Sequence, residues 1–261
     1  MNAPPRLFTL PEPVAPHWRH AWGGVWRLTL HRHFLPGRWL MVLIGLAVLA
    51  LLGFAPGRGG LSRHFTEWTV AFYATFLVPA LAFISAAGAM RDEMKSSTVD
   101  YVFTRPVRRP AFVAFRFLAH TVCAQLDFLL ALGVVLVVGA ARGVPGVLAI
   151  MPALLLGQVL LVTAFSALGF LAGVLTSRYI ILGFGYAGVI EVGIGQIPTQ
   201  LSRLSMTQQV RTLVDTLLLR SEAHSPGLLA VTGTLVLFTL VVLALAALLF
   251  HHREQGAASE T

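Results

Sequence analysis

Six stretches of the chain run apolar for long enough to cross a bilayer, which takes roughly 20 residues of helix. They lie at 38–56, 68–90, 117–140, 147–175, 179–197 and 227–250. Polar breaks separate them, and the shortest, Thr176-Ser177-Arg178, forces the fourth and fifth segments into an antiparallel pair joined by a tight turn. Two further stretches alternate with helical period but are too polar to span. In residues 17–35, HWRHAWGGVWRLTLHRHFL, the residues Trp18, Trp22, Trp26 and Leu30 recur every four positions with Val25 beside them. Arg19, Arg27 and Arg32 fall off that stripe, the pattern of a helix lying in the membrane interface with its indoles at headgroup depth. Such a helix is either a simple interfacial anchor or an elbow packed on the flank of the bundle. Between the last two spans, in 198–226, Met206, Val210, Leu213, Val214, Leu217 and Leu218 share one helical face, with Gln208, Gln209, Arg211, Thr212, Asp215 and Arg220 opposite. That segment is expected on the outer leaflet or partway into it. The predicted fold is therefore an all-α integral membrane protein. Its parts are a tail and interfacial helix (1–37), a six-span domain (38–250) with the loop 91–116 and the outer loop 198–226, and a short tail (251–261).

Composition agrees with the pattern. Hydrophobic residues make up 56% of the 261 positions and charged residues 11%, where a soluble domain carries about 25% charge. The net charge of +8 does not point to nucleic acid, because the cations sit at span ends and in loops, where anionic lipid headgroups attract them. Thirteen of the nineteen Lys and Arg lie in the tails, the 91–116 loop and the 176–178 turn. That excess predicts both termini on the cytoplasmic side, and the polar, Pro-rich start, without an apolar core before residue 39, is not expected to act as a cleavable signal. Lys95 is the only lysine and stands between Met94 and Ser96, so the Gly-Lys-Ser/Thr of a phosphate-binding Walker loop is absent. Cys123 is the only cysteine, which excludes an intrachain disulfide and a cysteine metal cluster. The pairs His31/His33 and His251/His252 have no acid or cysteine at ligand spacing, so no metal site is expected.

The loop 91–116 carries six Lys and Arg between two spans. Asp92 and Glu93 follow the second span directly. Ser97 and Asp100 have N-cap spacing, Val99, Tyr101, Val102 and Phe103 add apolar surface, and Pro106 ends the short helix they predict. Pro110 suits the first turn of the next helix. Two acids fall inside spans, Asp127 in the third and Glu191 in the fifth. Mid-membrane acids cost about 2.5–3.5 kcal/mol to insert and normally face a partner or water. Each is thus either on a transport path or gate, or a structural hydrogen-bond partner. Gly193 to Pro198 after Glu191 suggests a broken, re-entrant helix end. Gly169 and Gly173 form a small-xxx-small pair suited to close helix approach.

Glu93, Thr98, Val99, Asp100, Arg105, Pro106 and Arg109, with six spans and an interfacial helix first, resemble the membrane subunit of ABC type-2 exporters (the ABC-2 permease family). Ser97 departs from the glycine frequent in that family. The resemblance implies a permease without its own ATPase activity and without a cofactor in this chain, ATP and Mg being bound by two copies of a separate ATP-binding subunit. Glu93, Thr98, Val99, Asp100, Phe103, Arg105, Pro106 and Arg109 would form the docking contact for that subunit. It also implies a second permease subunit (a homodimer, or alternatively a heterodimer), contact with membrane lipids, and a place in a bacterial cytoplasmic (inner) membrane. The plain alternative for 91–116 is a solvated basic loop. For the whole chain the alternatives are an ATP-independent transporter or pore and, behind it, an intramembrane enzyme, for which Ser166, Asp127 and His120 are too scattered to form a catalytic set.

Overall fold

The computed structural model describes residues 18–55, 61–94, 109–195, 205–219 and 228–258. Every regular element among them is helical. Helix α1 is Trp18–His33 and α2 is Pro36–Gly53. Helix α3 is continuous from Leu61–Trp68 through a π-helical Thr69–Leu77 into Val78–Glu93. Helix α4 is Arg109–Ala141. Helix α5 joins a 3₁₀ turn, Val147–Ile150, to Met151–Leu175. Helix α6 comprises Tyr179–Tyr186 and a second π-helical run, Ala187–Ile194. Helices α7 (Met206–Leu219) and α8 (Leu228–Ala258) complete the chain.

Five of these are long and apolar enough to cross a membrane, among the described residues: α2, α3, α4, α5 and α8. The apolar segment read from sequence as the fifth span appears as a shorter helix, Tyr179–Gly193. At a rise of 1.5 Å per residue it reaches about 22 Å, short of the ~30 Å hydrocarbon core.

Helix α5 is the centre. It is apolar all round, as a buried helix must be, and it packs on α3, α4, α7 and α8. Its tightest seam is with α3. A Cβ on Gly169 would sit 2.5 Å from the Phe83 carbonyl oxygen, and one on Gly173 would sit 2.6 Å from that of Ala87. Glycine is therefore what lets the two backbones approach, and here it serves packing within one subunit. At mid-seam the buried Tyr73 hydroxyl stands 2.6 Å from Gln158 Oε1 and 3.1 Å from the Phe128 carbonyl. Helix α2 is peripheral: 11% of its apolar window is buried, against 50% for α3, α4 and α5. Arg142, from the turn after α4, donates to the Gly53 carbonyl at 2.8 Å and so satisfies an orphan carbonyl in the last turn of α2. That turn carries Gly143 and Gly146 at φ of 73° and 69°, a region that disfavours side chains bearing a Cβ.

Proline explains the first π-helical run. Pro79 has no N–H and its ring crowds the carbonyl of residue 75. Widening the preceding turns relieves that clash, and the Val78 N–H reaches back to the Tyr73 carbonyl, five residues away. The second run ends in the same way, with the Gly195 N–H on the Ile190 carbonyl at 3.0 Å. Proline opens other helices as expected of its fixed φ: Pro36, Pro110 and Pro152 each lie in a first turn.

Candidate functional site

The described residues on either side of 95–108 are tied together by charge. Glu93 ends α3 and is 3% exposed. Its Oε1 accepts from Arg116 of α4 at 3.0 Å and from Arg32 of α1 at 2.8 Å. Arg116 is buried too and also donates to the Thr29 hydroxyl of α1. Burying a guanidinium and a carboxylate is tolerable only when they face each other and neighbouring dipoles complete the shell, and Thr29 supplies that dipole. Aromatic packing reinforces the contact: Trp22 stands edge-on to Phe115 of α4 at 5.0 Å and stacks on Trp26 at 5.6 Å. Trp18 opens α1. The buried face of α1 runs through Thr29 and His33, one position off the four-residue Trp stripe, because a true helical period of 3.6 drifts away from a strict fourfold spacing.

A second charged group lies deeper. Asp127 of α4 meets His33 Nε2 of α1 at 3.3 Å and Arg38 Nη2, in the first turn of α2, at 3.2 Å. Sequence spacing gave no sign of these partners, which arrive from the N-terminal helices. It likewise left His33 without a nearby acid, because a contact across helices leaves no trace in local spacing. Burial pushes the His33 imidazole below its ordinary pKa, with Asp127 raising it and Arg38 lowering it to smaller extents.

Glu191 sits in the π-helical run of α6 and is bound to the start of α7. Its carboxylate accepts from the Met206 N–H (3.2 Å), the Thr207 N–H (3.1 Å), the Thr207 hydroxyl (2.5 Å), the Ser205 hydroxyl (2.6 Å) and the Tyr186 hydroxyl (3.0 Å). A carboxylate at a helix N-terminus satisfies orphan N–H groups and meets the positive end of the helix dipole. Glu191 thereby anchors the amphipathic helix, whose Met206, Val210, Leu213 and Val214 are buried, mainly against α5. Leu217, expected on the same face, is exposed. Beside Glu191 lies a cavity of about 370 Å³ between α3 and α6, floored by Phe165 of α5. Both π-helical runs contribute to its walls.

Of the residues singled out from sequence, Glu93, Asp127 and Glu191 thus occupy three separate polar sites. Thr98, Val99, Asp100, Phe103, Arg105 and Pro106 lie outside the described residues, and Arg109 opens α4. Sequence reading passed over Thr29, Arg32, Arg38 and Arg116 as partners. Arg116 had a usable signal, since a cation at the mouth of an apolar run calls for a counter-charge.

The sequence model described as ABC-2 family transporter protein matches residues 31–192, more than half of the chain. No curated protein matches it. The matched span takes in the end of α1, the bundle from α2 to α5 and most of α6. The chain is a membrane protein of several apolar helices and belongs to the ABC-2 family of transporter proteins.

Proposed function

We propose that this chain is the permease subunit of an ATP-binding cassette exporter and is driven through the segment between α3 and α4. The observation that carries the reading is the Glu93–Arg116 pair, extended by Arg32 and Thr29 of α1. It joins both roots of the segment and the interfacial helix, so a push on that segment moves three helices together. Asp100, Phe103 and Arg105, with their neighbours Thr98, Val99, Pro106 and Arg109, would provide the surface that enters a cleft of the ATPase.

In this reading both termini and the driven segment are cytoplasmic and the membrane is the bacterial inner membrane. Helix α6 counts as the fifth of six spans, and its short length is made up by α7 folding back against it at Glu191. Two copies form the path, two ATP-binding subunits bind ATP and Mg, and the cavity beside Glu191 is part of the route. The test is affinity purification of the full-length chain from its native membranes. An ATP-binding cassette subunit should accompany it and be lost with Asp100→Ala or Phe103→Ala. Absence of any such subunit, or transport in vesicles that proceeds without ATP, defeats the proposal.

A further inference from the structure

The cavity between α3 and α6 combines two features that seldom meet by accident. Its walls are aromatic, with Phe76 and Phe83 from α3, Phe165 from α5, and Phe184 and Tyr186 from α6. At one side the lining includes Glu191, whose carboxylate is held by the start of α7. Among the described residues, the five hydrogen bonds to that carboxylate come from neutral donors. Among the described residues no Lys, Arg or His lines the cavity and no ion pair to Glu191 exists. These donors hold the carboxylate at the edge of the cavity, against the start of α7, and supply no full positive charge to neutralise it.

Aromatic faces attract cations through their quadrupoles, and a carboxylate in a poorly hydrated wall attracts them more strongly than it would in water. Both features disfavour an anion, and the apolar walls disfavour a hydrated ion. The volume falls at the lower end of the roughly 300–1,000 Å³ typical of small-molecule sites. We infer that this cavity binds a hydrophobic monocation, an organic cation whose charge is carried on an apolar body. The inference deepens the transport reading by naming a class of cargo, and its meaning for transport rests on that reading.

The experiment uses the full-length chain in lipid nanodiscs and a matched pair of probes, tetraphenylphosphonium and tetraphenylborate, of similar size and shape but opposite charge. Equilibrium dialysis, with empty discs subtracted, should give saturable binding of the cation and none of the anion. Glu191→Gln should weaken cation binding by roughly thirtyfold, the low end for removing one partner of a desolvated charge pair. Gly188→Phe tests the space independently: residue 188 lines the cavity, and a Cβ there meets nothing within 4 Å. This variant should fold and lose the site. Equal binding of the two ions, no saturable binding of the cation, or full retention by Gly188→Phe overturns the inference. Copurification of the ATP-binding subunit, followed on the same samples, separates the two claims. A chain that holds its ATPase but ignores the cation refutes the site alone, and one that binds the cation without an ATPase refutes the transporter reading alone.

Discussion

Replacing Glu93 by Ala leaves the Arg116 guanidinium buried, with Thr29 as its remaining described partner. The side chains of Glu93 and Arg116 are 3% and 6% exposed, whereas that of Arg32 is 40% exposed. Removing one member of a buried pair costs about 3–5 kcal/mol, because a charge stays behind in a medium that solvates it poorly. An ion pair with one exposed partner contributes about 0–1 kcal/mol after screening and side-chain entropy. The expected order is therefore a large loss for Glu93→Ala and a small one for Arg32→Ala. The double variant Glu93→Leu/Arg116→Met should recover most of the stability, since apolar replacement of a buried pair is often neutral or better. Cys123 supplies the assay: it is the sole cysteine, unpaired and buried in α4. A thiol-reactive fluorescent dye thus reports the thermal unfolding of this region in detergent. If Arg32→Ala proves as damaging as Glu93→Ala, or the double variant as damaging as the single, the pair does not hold the helix roots as argued.

Other outcomes follow from the same geometry. Gly169→Leu and Gly173→Leu should each destabilise by about 1–3 kcal/mol or more through forced separation of α3 and α5. Gly133→Ala, where a Cβ meets nothing within 4 Å, should be neutral or gain up to about 1 kcal/mol from helix propensity; the dye assay measures both. Burial lowers the His33 pKa, so the unfolded chain takes up its proton first as pH falls. The stability gained by keeping His33 neutral is complete above the unfolded value of about 6.5. It declines as pH drops through the lower folded value, and His33→Gln should flatten that part of a pH series of thermal midpoints. Glu191→Ala removes the acceptor for the first turn of α7, a loss of about 1 kcal/mol or more. Hydrogen exchange there should quicken by on the order of tenfold, with the centre of α5 unchanged.

What could be read from the chain was what depends on local order. Apolar run length located the long helices, the 3.6 period located α1 and α7, and Pro110 fell in the first turn of α4 as its lack of an N–H requires. Gly169 and Gly173 announced a close contact four residues apart on one face. Most partners of Glu93, Asp127 and Glu191 were not legible, since they come from other helices and are chosen by packing. The shortness of α6 was hidden from apolar run length, although the glycines after Glu191 suggested a broken helix end. Its apolar composition continues to Ile197, but the helix widens into a π-turn around Glu191, whose carboxylate is drawn to the start of α7. Run length records hydrophobicity and has no means of registering a tie between one helix and the start of the next.

The glycine seam between α3 and α5 has a mechanical consequence. Main-chain atoms there are so near that a slip of one helical turn, about 5.4 Å, would bring a side chain bearing a Cβ opposite one of the carbonyl oxygens now faced by Gly169 and Gly173. The two helices can tilt together but have no room to shear. They act as a single strut, and motion in this protein must be carried by the helices hung around it.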